Sequence, residues 1–181
     1  MLEGPARSGD RWVSDLGGER VRRARGGRLS SDMGGRSLLC RVQGRLCALP
    51  LQQVVETLRP LPVEPLSGAP GFVRGIAIIR GAPLPVVDVA ALLGAGEGRV
   101  TRFVVLRSGQ HHVALAVDEV VGVRALDERS LGELPPLLRG GDDEAIASIG
   151  ARDAELLMVL DSARMIPDSL WTSLELEPAP P

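Results

Sequence analysis

The patterned part of this chain occurs twice. Cys47-Ala48-Leu49-Pro50-Leu51, followed by Gln52-Gln53 and Val54-Val55, returns 66 positions later as Val113-Ala114-Leu115-Ala116-Val117, followed by Asp118-Glu119 and Val120-Val121. An apolar run and a glycine turn precede each copy: Leu38–Val42 with Gln43-Gly44, and Phe103–Leu106 with Ser108-Gly109. The later part of each copy matches as well. Ile76-Ala77-Ile78-Ile79 parallels Ile146-Ala147-Ser148-Ile149, and Val86-Val87-Asp88 parallels Val159-Leu160-Asp161 at a spacing of 73. The seven residues gained fall in Asp127–Glu144, which holds Pro135-Pro136 and Gly140-Gly141. Self-similarity at a fixed spacing means one supersecondary plan built twice. The expected organisation is one domain over 36–172, with lobe 1 at 37–99 and lobe 2 at 100–170.

Each copy reads as short strands between turns. Apolar runs of four to seven residues, rich in Val, Ile and Leu and bounded by Gly or Pro, are strand signals. Gln43-Gly44, Ser108-Gly109 and Arg80-Gly81 suit tight hairpins, because glycine accepts positive φ. Val113–Val117 is apolar throughout, as a strand covered on both faces is. Pro83 and Pro85 belong at a strand start or an edge, since proline cannot donate to a ladder. Asp88 and Asp161 each follow a strand and precede a short apolar helical turn, where an aspartate serves as N-cap. Gly94 and Pro167 are the matching stop signals. Five short strands in some sixty residues are best closed into a small barrel, which removes exposed edges. Two such barrels packed together make a better core than either alone. The expected fold is therefore mainly β: two tandem five-stranded lobes with short helices.

Composition removes several functions. All 21 basic residues are arginine, so no P-loop lysine and no lysine Schiff base can form. The net charge of −2 and the four aromatics, Trp12, Phe72, Phe103 and Trp171, argue against a nucleic-acid-binding barrel with its basic groove and stacking platform. Cys40 and Cys47 flank the first hairpin turn and are read as small buried hydrophobes, although they could face each other across it. No Cys/His cluster has zinc spacing, and neither metal nor cofactor is expected. No apolar run approaches the roughly 20 residues of a membrane span. Arg22-Arg23 and Leu38-Leu39-Cys40 resemble export signals without the required apolar stretch, so a cytoplasmic location is expected.

Residues 1–35 hold seven Arg and eight Gly without apolar periodicity. Arg20–Arg28 has the make-up of an RNA- or membrane-binding arm. The plainer reading is a disordered extension, with Met33 an alternative start, because such a segment buries too little apolar surface to fold. Residues 173–181 read as a Pro-rich flexible tail.

A few residues invite a chemical reading. Two lobes, each with an Asp after two apolar residues, have the outline of an aspartic protease, in which two carboxylates share one proton. Leu160-Asp161-Ser162-Ala163 approximates that motif, but Val87-Asp88-Val89-Ala90 lacks the hydroxyl and neither copy has the glycine. Capping explains Asp88 and Asp161 more simply. His111 and His112 are adjacent, so on a strand they face opposite sides and form no joint site; an exposed hairpin is expected. Gly94-Ala95-Gly96-Glu97-Gly98 follows a helix rather than opening one, unlike a phosphate-binding glycine string.

Residues 37–170 resemble the CheW-like family. The resemblance is carried by Gly71-Phe72-Val73-Arg74-Gly75-Ile76-Ala77-Ile78-Ile79-Arg80-Gly81 and then Pro85-Val86-Val87-Asp88, with Val117-Asp118-Glu119-Val120 matching the second-lobe motif. It implies two five-stranded SH3-like barrels with an apolar seam between them, and a non-catalytic adaptor. The implied partners are the cytoplasmic tip of a chemoreceptor and the regulatory domain of a CheA-type histidine kinase, with further CheW-like domains in rings. Carried over by position, the implied receptor-binding residues are Val54, Glu56 and Arg80. Bottom-up, Val54 also reads as core and Arg80 as a turn residue. Ile78 departs from the family pattern, which has Asn there; its apolar surface belongs either to the core or to an interface. A divergent paralogue in a pilus or other motility pathway is the alternative output.

Overall fold

The computed structural model describes residues 35–127, 131–132, 145–161, 165–166 and 171. The expected extension before residue 35, the tail at 173–181 and most of the 127–144 insertion lie outside the described residues.

Val, Ile and Leu alternate or cluster between turns, and the described residues form eleven strands: β1 (Arg36–Val42), β2 (Arg45–Pro50), β3 (Val54–Leu58), β4 (Val73–Ile79), β5 (Ala82–Asp88), β6 (Arg102–Ser108), β7 (His111–Val117), β8 (Glu119–Ala125), β9 (Leu131–Gly132), β10 (Ile146–Arg152) and β11 (Glu155–Leu160). A 3-10 turn, Leu51–Gln53, precedes β3, and one short helix, α1 (Val89–Leu92), follows β5. No helix among the described residues is long and apolar enough to cross a membrane.

The strands form two sheets, ordered β8-β1-β2-β11-β10-β9 and β3-β6-β7-β5-β4. Five strands were expected in each lobe; the two-residue β9 is the sixth member of the first sheet. The boundaries expected for the lobes, 37–99 and 100–170, do not coincide with the sheets. Each sheet takes the first hairpin of one repeat and the last hairpin of the other. They meet in parallel pairings: Cys47 opposite Met158 and Ala48 opposite Val159 in one sheet, Val86 opposite Ala114 and Val87 opposite Leu115 in the other. The third strand of each repeat also crosses over, β3 to β6 and β8 to β1. The reason is local: after the second strand the chain runs directly into a third that pairs with the other repeat's first strand. No repeat can therefore close a barrel by itself.

The two halves obey one register. The β1–β8 ladder bulges between Leu39 and Cys40, leaving Val121 unpaired, and the β6–β3 ladder bulges at the matching place, leaving Val55 unpaired. The β4–β5 and β10–β11 hairpins bulge alike, with Val73 opposite Val87 and Ile146 opposite Leu160. Ile146–Ile149 is thus the counterpart of Val73–Ile76, not of Ile76–Ile79 as the residue pattern had it. Both registers satisfy the apolar pattern, and the turns decide between them: Arg80-Gly81 (φ 54 and 81) aligns with Asp153-Ala154 (φ 50 and 65). The β6–β7 turn is Gly109-Gln110 rather than Ser108-Gly109. Ser108 still pairs with His111 at the end of the ladder, and Gly109 takes φ 61.

Three apolar clusters follow from this interleaving. One fills each lobe: Leu39, Leu46, Ala48, Leu126, Leu157 and Val159 in the first, and Ala77, Ile79, Val86, Phe103, Val105, Ala114 and Ala116 in the second. The largest lies between the sheets and includes Leu38, Cys40, Cys47, Leu49, Val104, Leu106, Leu115, Met158 and Leu160. Val113 through Ala116 feed these clusters alternately, so β7 is buried on both faces.

Candidate functional site

The site residues implied by the resemblance lie on the rim of the second sheet. Glu56 sits on β3, directly after the Val55 bulge, and Arg80 occupies the first position of the β4–β5 turn. β3 and β4 are the two ends of that sheet's strand order. Arg80 Nη2 donates to Glu56 Oε2 at 2.8 Å, and Arg80 Nε donates to Glu56 Oε1 at 3.2 Å. This two-pronged pair draws the open ends of the sheet together. The Arg80 side chain is 81% exposed and the Glu56 side chain 24%. The hydrogen bonds from Arg80 hold the Glu56 carboxyl below its ordinary pKa against the opposing effect of burial, with the nearby positive charge adding to the lowering.

Val54 does not share that exposure. It is half-buried, packs against the cluster between the sheets, and pairs with Leu106 across the ladder. The side chains beside the fork that do reach solvent are Val55, 54% exposed, and Ile78, 61% exposed. The family motif left Ile78 open between core and interface, and nothing in the residues singled out Val55. Strand alternation held the signal for Ile78: along β4, residues 73, 75, 77 and 79 are buried and 74 and 78 are exposed. The bulge that turns Val55 outward is not visible in the residue pattern.

Asp88 is a buried carboxylate with both oxygens engaged. Oδ1 accepts from the backbone N–H groups of Ala90, at 2.9 Å, and Ala91, at 3.2 Å, at the start of α1. Oδ2 meets Arg74 Nη1 at 3.3 Å. In the other repeat, the residues after Asp161 that its cap would hold lie outside the described residues; the Asp161 backbone N–H donates to Ala145 O at 2.9 Å, as that of Asp88 donates to Phe72 O at 2.8 Å. Asp118, from the second-lobe motif, is a tie between repeats. Its Oδ2 accepts from the Gln43 N–H at 2.7 Å, and its backbone carbonyl accepts from Thr101 Oγ1. Gln43 Nε2 in turn donates to Glu97 O at 2.7 Å, so the glycine string at 94–98 is a linker pinned to the first hairpin.

Cys40 and Cys47 do stand opposite each other across the β1–β2 hairpin, both fully buried as free thiols. Contact with Cys47, followed by burial, pushes the Cys40 thiol well above its ordinary pKa, which keeps it protonated and unreactive. His111 was expected to be exposed; it is partly covered, its ring stacking on Trp171 with centroids 4.4 Å apart, while His112 stays exposed. Among the described residues no group of three or more His, Cys, Asp or Glu could hold a metal ion.

Residues 36–169 match the family model described as the CheW-like domain. The chain belongs to the CheW-like family. Similar chains include the protein FrzA of Myxococcus xanthus, 35% identical over 109 residues that span 59% of this chain and 66% of FrzA. The chemotaxis protein CheW of Rhizobium meliloti (strain 1021) is 27% identical over 150 residues, 81% of this chain and 94% of that one. The protein PilI of Pseudomonas aeruginosa is 32% identical over 101 residues, 54% of this chain and 57% of PilI. The match to FrzA therefore spans just under two thirds of that relative. Among solved structures, the scaffolding protein TtCheW from Thermoanaerobacter tengcongensis superposes with a TM-score of 0.64 at 23% identity, covering 74% of this chain and 92% of that one. That match shows the fold: this CheW-like chain has the mainly β, two-lobed architecture of the family, and the fork lies on one of its two lobes.

Proposed function

We propose that this CheW-like chain is a non-catalytic adaptor that couples the cytoplasmic tip of a chemoreceptor to the regulatory domain of a CheA-type histidine kinase. The reading is supported chiefly by the Glu56–Arg80 fork, a pre-arranged and largely exposed cation on the rim of one lobe. A fork of this kind holds an arginine in one rotamer, so less freedom is lost when a partner docks. Arginine anchors of this sort often dominate interface energetics. The receptor contact falls to Arg80 and Glu56, and Val54 acts from beneath by fixing β3 against the core. The kinase contact falls to other surfaces of the two lobes, and receptor arrays give the adaptor its place at the membrane. Individual affinities are modest, and the array supplies avidity.

A motility or pilus output, in place of flagellar chemotaxis, is the second reading. It is favoured by one observation: FrzA and PilI are 35% and 32% identical to the chain, whereas the CheW proteins of Rhizobium meliloti, Treponema pallidum and Klebsiella aerogenes are 27%, 24% and 25% identical.

The test is a pull-down of the full chain against soluble receptor cytoplasmic fragments and kinase regulatory domains from the same genome. Binding to both classes is expected, with Arg80→Ala losing the receptor and keeping the kinase. Binding to neither class defeats the adaptor reading.

A further inference from the structure

Between β3 and β4 the chain runs Arg59-Pro60-Leu61-Pro62-Val63-Glu64-Pro65. Covalent chemistry settles most of its conformation. Proline fixes φ at about −65°, which covers positions 60, 62 and 65. The residue ahead of a proline is pushed to extended backbone, which covers 59, 61 and 64. Both restrictions are met by the polyproline II helix, which repeats about every three residues. Burial follows that period. Val63 is half-buried and packs against the apolar cluster of the second lobe, and Leu66, further along the same face, is half-buried too. Leu61, Pro62, Glu64 and Pro65, on the other faces, are exposed. Arg59 is also exposed and makes no hydrogen bond or ion pair among the described residues.

The fold holds this segment by contacts that need no proline. Val63 fills the lobe, and Glu64 exchanges two backbone hydrogen bonds of 2.8 Å with Ile76 on β4. The other repeat makes the same attachment with β9: Leu131 packs into the first lobe, and Gly132 pairs with Ile149, the counterpart of Ile76. The residues leading into β9, Asp127-Glu128-Arg129-Ser130, include no proline, and Glu133 stands where Pro65 does. Arg59 and the spaced pairs Leu61-Pro62 and Glu64-Pro65 are therefore additions to the attachment, and they face solvent.

Strand addition cannot use this segment. Glu64 already spends its backbone groups on β4, and prolines leave the remaining edge short of donors. Side-chain recognition remains. Polyproline II segments with the P-x-x-P spacing of Pro62 and Pro65 dock in the aromatic-lined groove of SH3-type domains. An arginine ahead of the first proline adds an ion pair with a carboxylate at the end of such a groove.

We propose that Arg59–Pro65 is a ligand for an SH3-type domain, held on the second lobe in polyproline II form. The aromatic groove of that domain takes Leu61-Pro62 and Glu64-Pro65, and an acidic side chain beside the groove takes Arg59. Because the segment is already ordered, little conformational freedom is lost on docking. The surface uses neither Glu56 nor Arg80, so the proposal does not rest on receptor or kinase binding.

The probes are the SH3-type domains with an aromatic groove encoded in the same genome, each titrated calorimetrically against the full chain. At least one is expected to bind. The double variant Pro62→Ala with Pro65→Ala should weaken that binding about tenfold or more, and Arg59→Glu should do likewise. Exchanging the acidic residue of the groove for arginine should restore binding to Arg59→Glu and not to the wild type. Hydrogen exchange at the Glu64 and Ile76 amides reports whether the segment stays on β4. If the double variant loses that protection, Arg59→Glu, which alters neither Val63 nor the pairing with β4, decides the matter by itself. If no such domain binds, or if Arg59→Glu and a protected double variant both bind within about twofold of the wild type, the segment is a structural strap and the proposal is wrong.

Discussion

Glu56 and Arg80, 24 positions apart in the chain, meet in a two-pronged ion pair, and the positions equivalent to them in the other lobe hold Gly122 and Asp153. The first sheet has its own two-pronged pair, Arg41 with Glu155 at 3.0 Å, built from other positions of the repeat. The Glu56–Arg80 pair is therefore set apart by its place, joining the two end strands of its sheet, and by an arginine that stays 81% exposed.

The pair lies at the surface, so its weight falls on binding more than on stability. Arg80→Ala should leave the thermal midpoint almost unchanged and weaken receptor capture about tenfold or more. The charge-reversed double variant Glu56→Arg with Arg80→Glu should restore the fold's rim without restoring capture. Because Arg80 lowers the pKa of Glu56, the fork is fully formed at neutral pH and is lost as pH falls through that lowered value. Receptor binding measured from pH 7 downward should therefore persist below the ordinary carboxylate range before it drops. An earlier drop, at the pH where free glutamate titrates, would mean the pair does not form in solution.

Asp88 holds the start of α1 and keeps Arg74 in place. Asp88→Ala should cost about 1–2 kcal/mol by urea denaturation, from the lost cap and the stranded arginine. Asp88→Asn keeps the acceptor for Ala90 and Ala91 and should cost less. Both variants should still bind kinase and receptor. A peptide-cleaving activity abolished by Asp88→Asn would instead revive the protease reading.

Gly75 has φ 138, and a β-carbon there would overlap the carbonyl of Glu64. Gly75→Ala should destabilise the protein by about 2–3 kcal/mol or more. It should also release Glu64 from β4, which hydrogen exchange at the Glu64 and Ile76 amides would report. Unchanged protection at both amides would show that the segment can shift aside at little cost.

Because each sheet needs strands from both repeats, neither half of the chain should fold alone. Residues 1–96 and 97–181, expressed separately, should each lack a cooperative melting transition. Mixed together they should regain the β-sheet circular dichroism of the intact chain. A cooperative transition in either half by itself would contradict the interleaved pairing.

Much of this was legible in the residues. Strand spans, the repeat, the hairpin at Arg80-Gly81 and the aspartate after each second hairpin all follow from local chemistry: apolar runs, turn formers and a short polar side chain ahead of a helical turn. Family motifs carried Glu56 and Arg80 as site residues, and the structure then showed that they touch. What composition and periodicity could not supply was partner choice between strands. A run such as Val113–Val117 says that both its faces are covered but not by which neighbours, because many apolar strands would satisfy the same burial. The parallel pairing of β2 with β11 and of β5 with β7 is settled by how the whole set of strands packs. The exposure of Ile78 is decided the same way. The residue pattern left Ile78 open between core and interface; alternation along β4 puts it on the face opposite Ala77 and Ile79, and only the assembled sheet decides which of the two faces is outward. Local segments determine which elements form; only long-range packing decides which surfaces are left for a partner, because burial belongs to the assembled set of strands and not to any one of them.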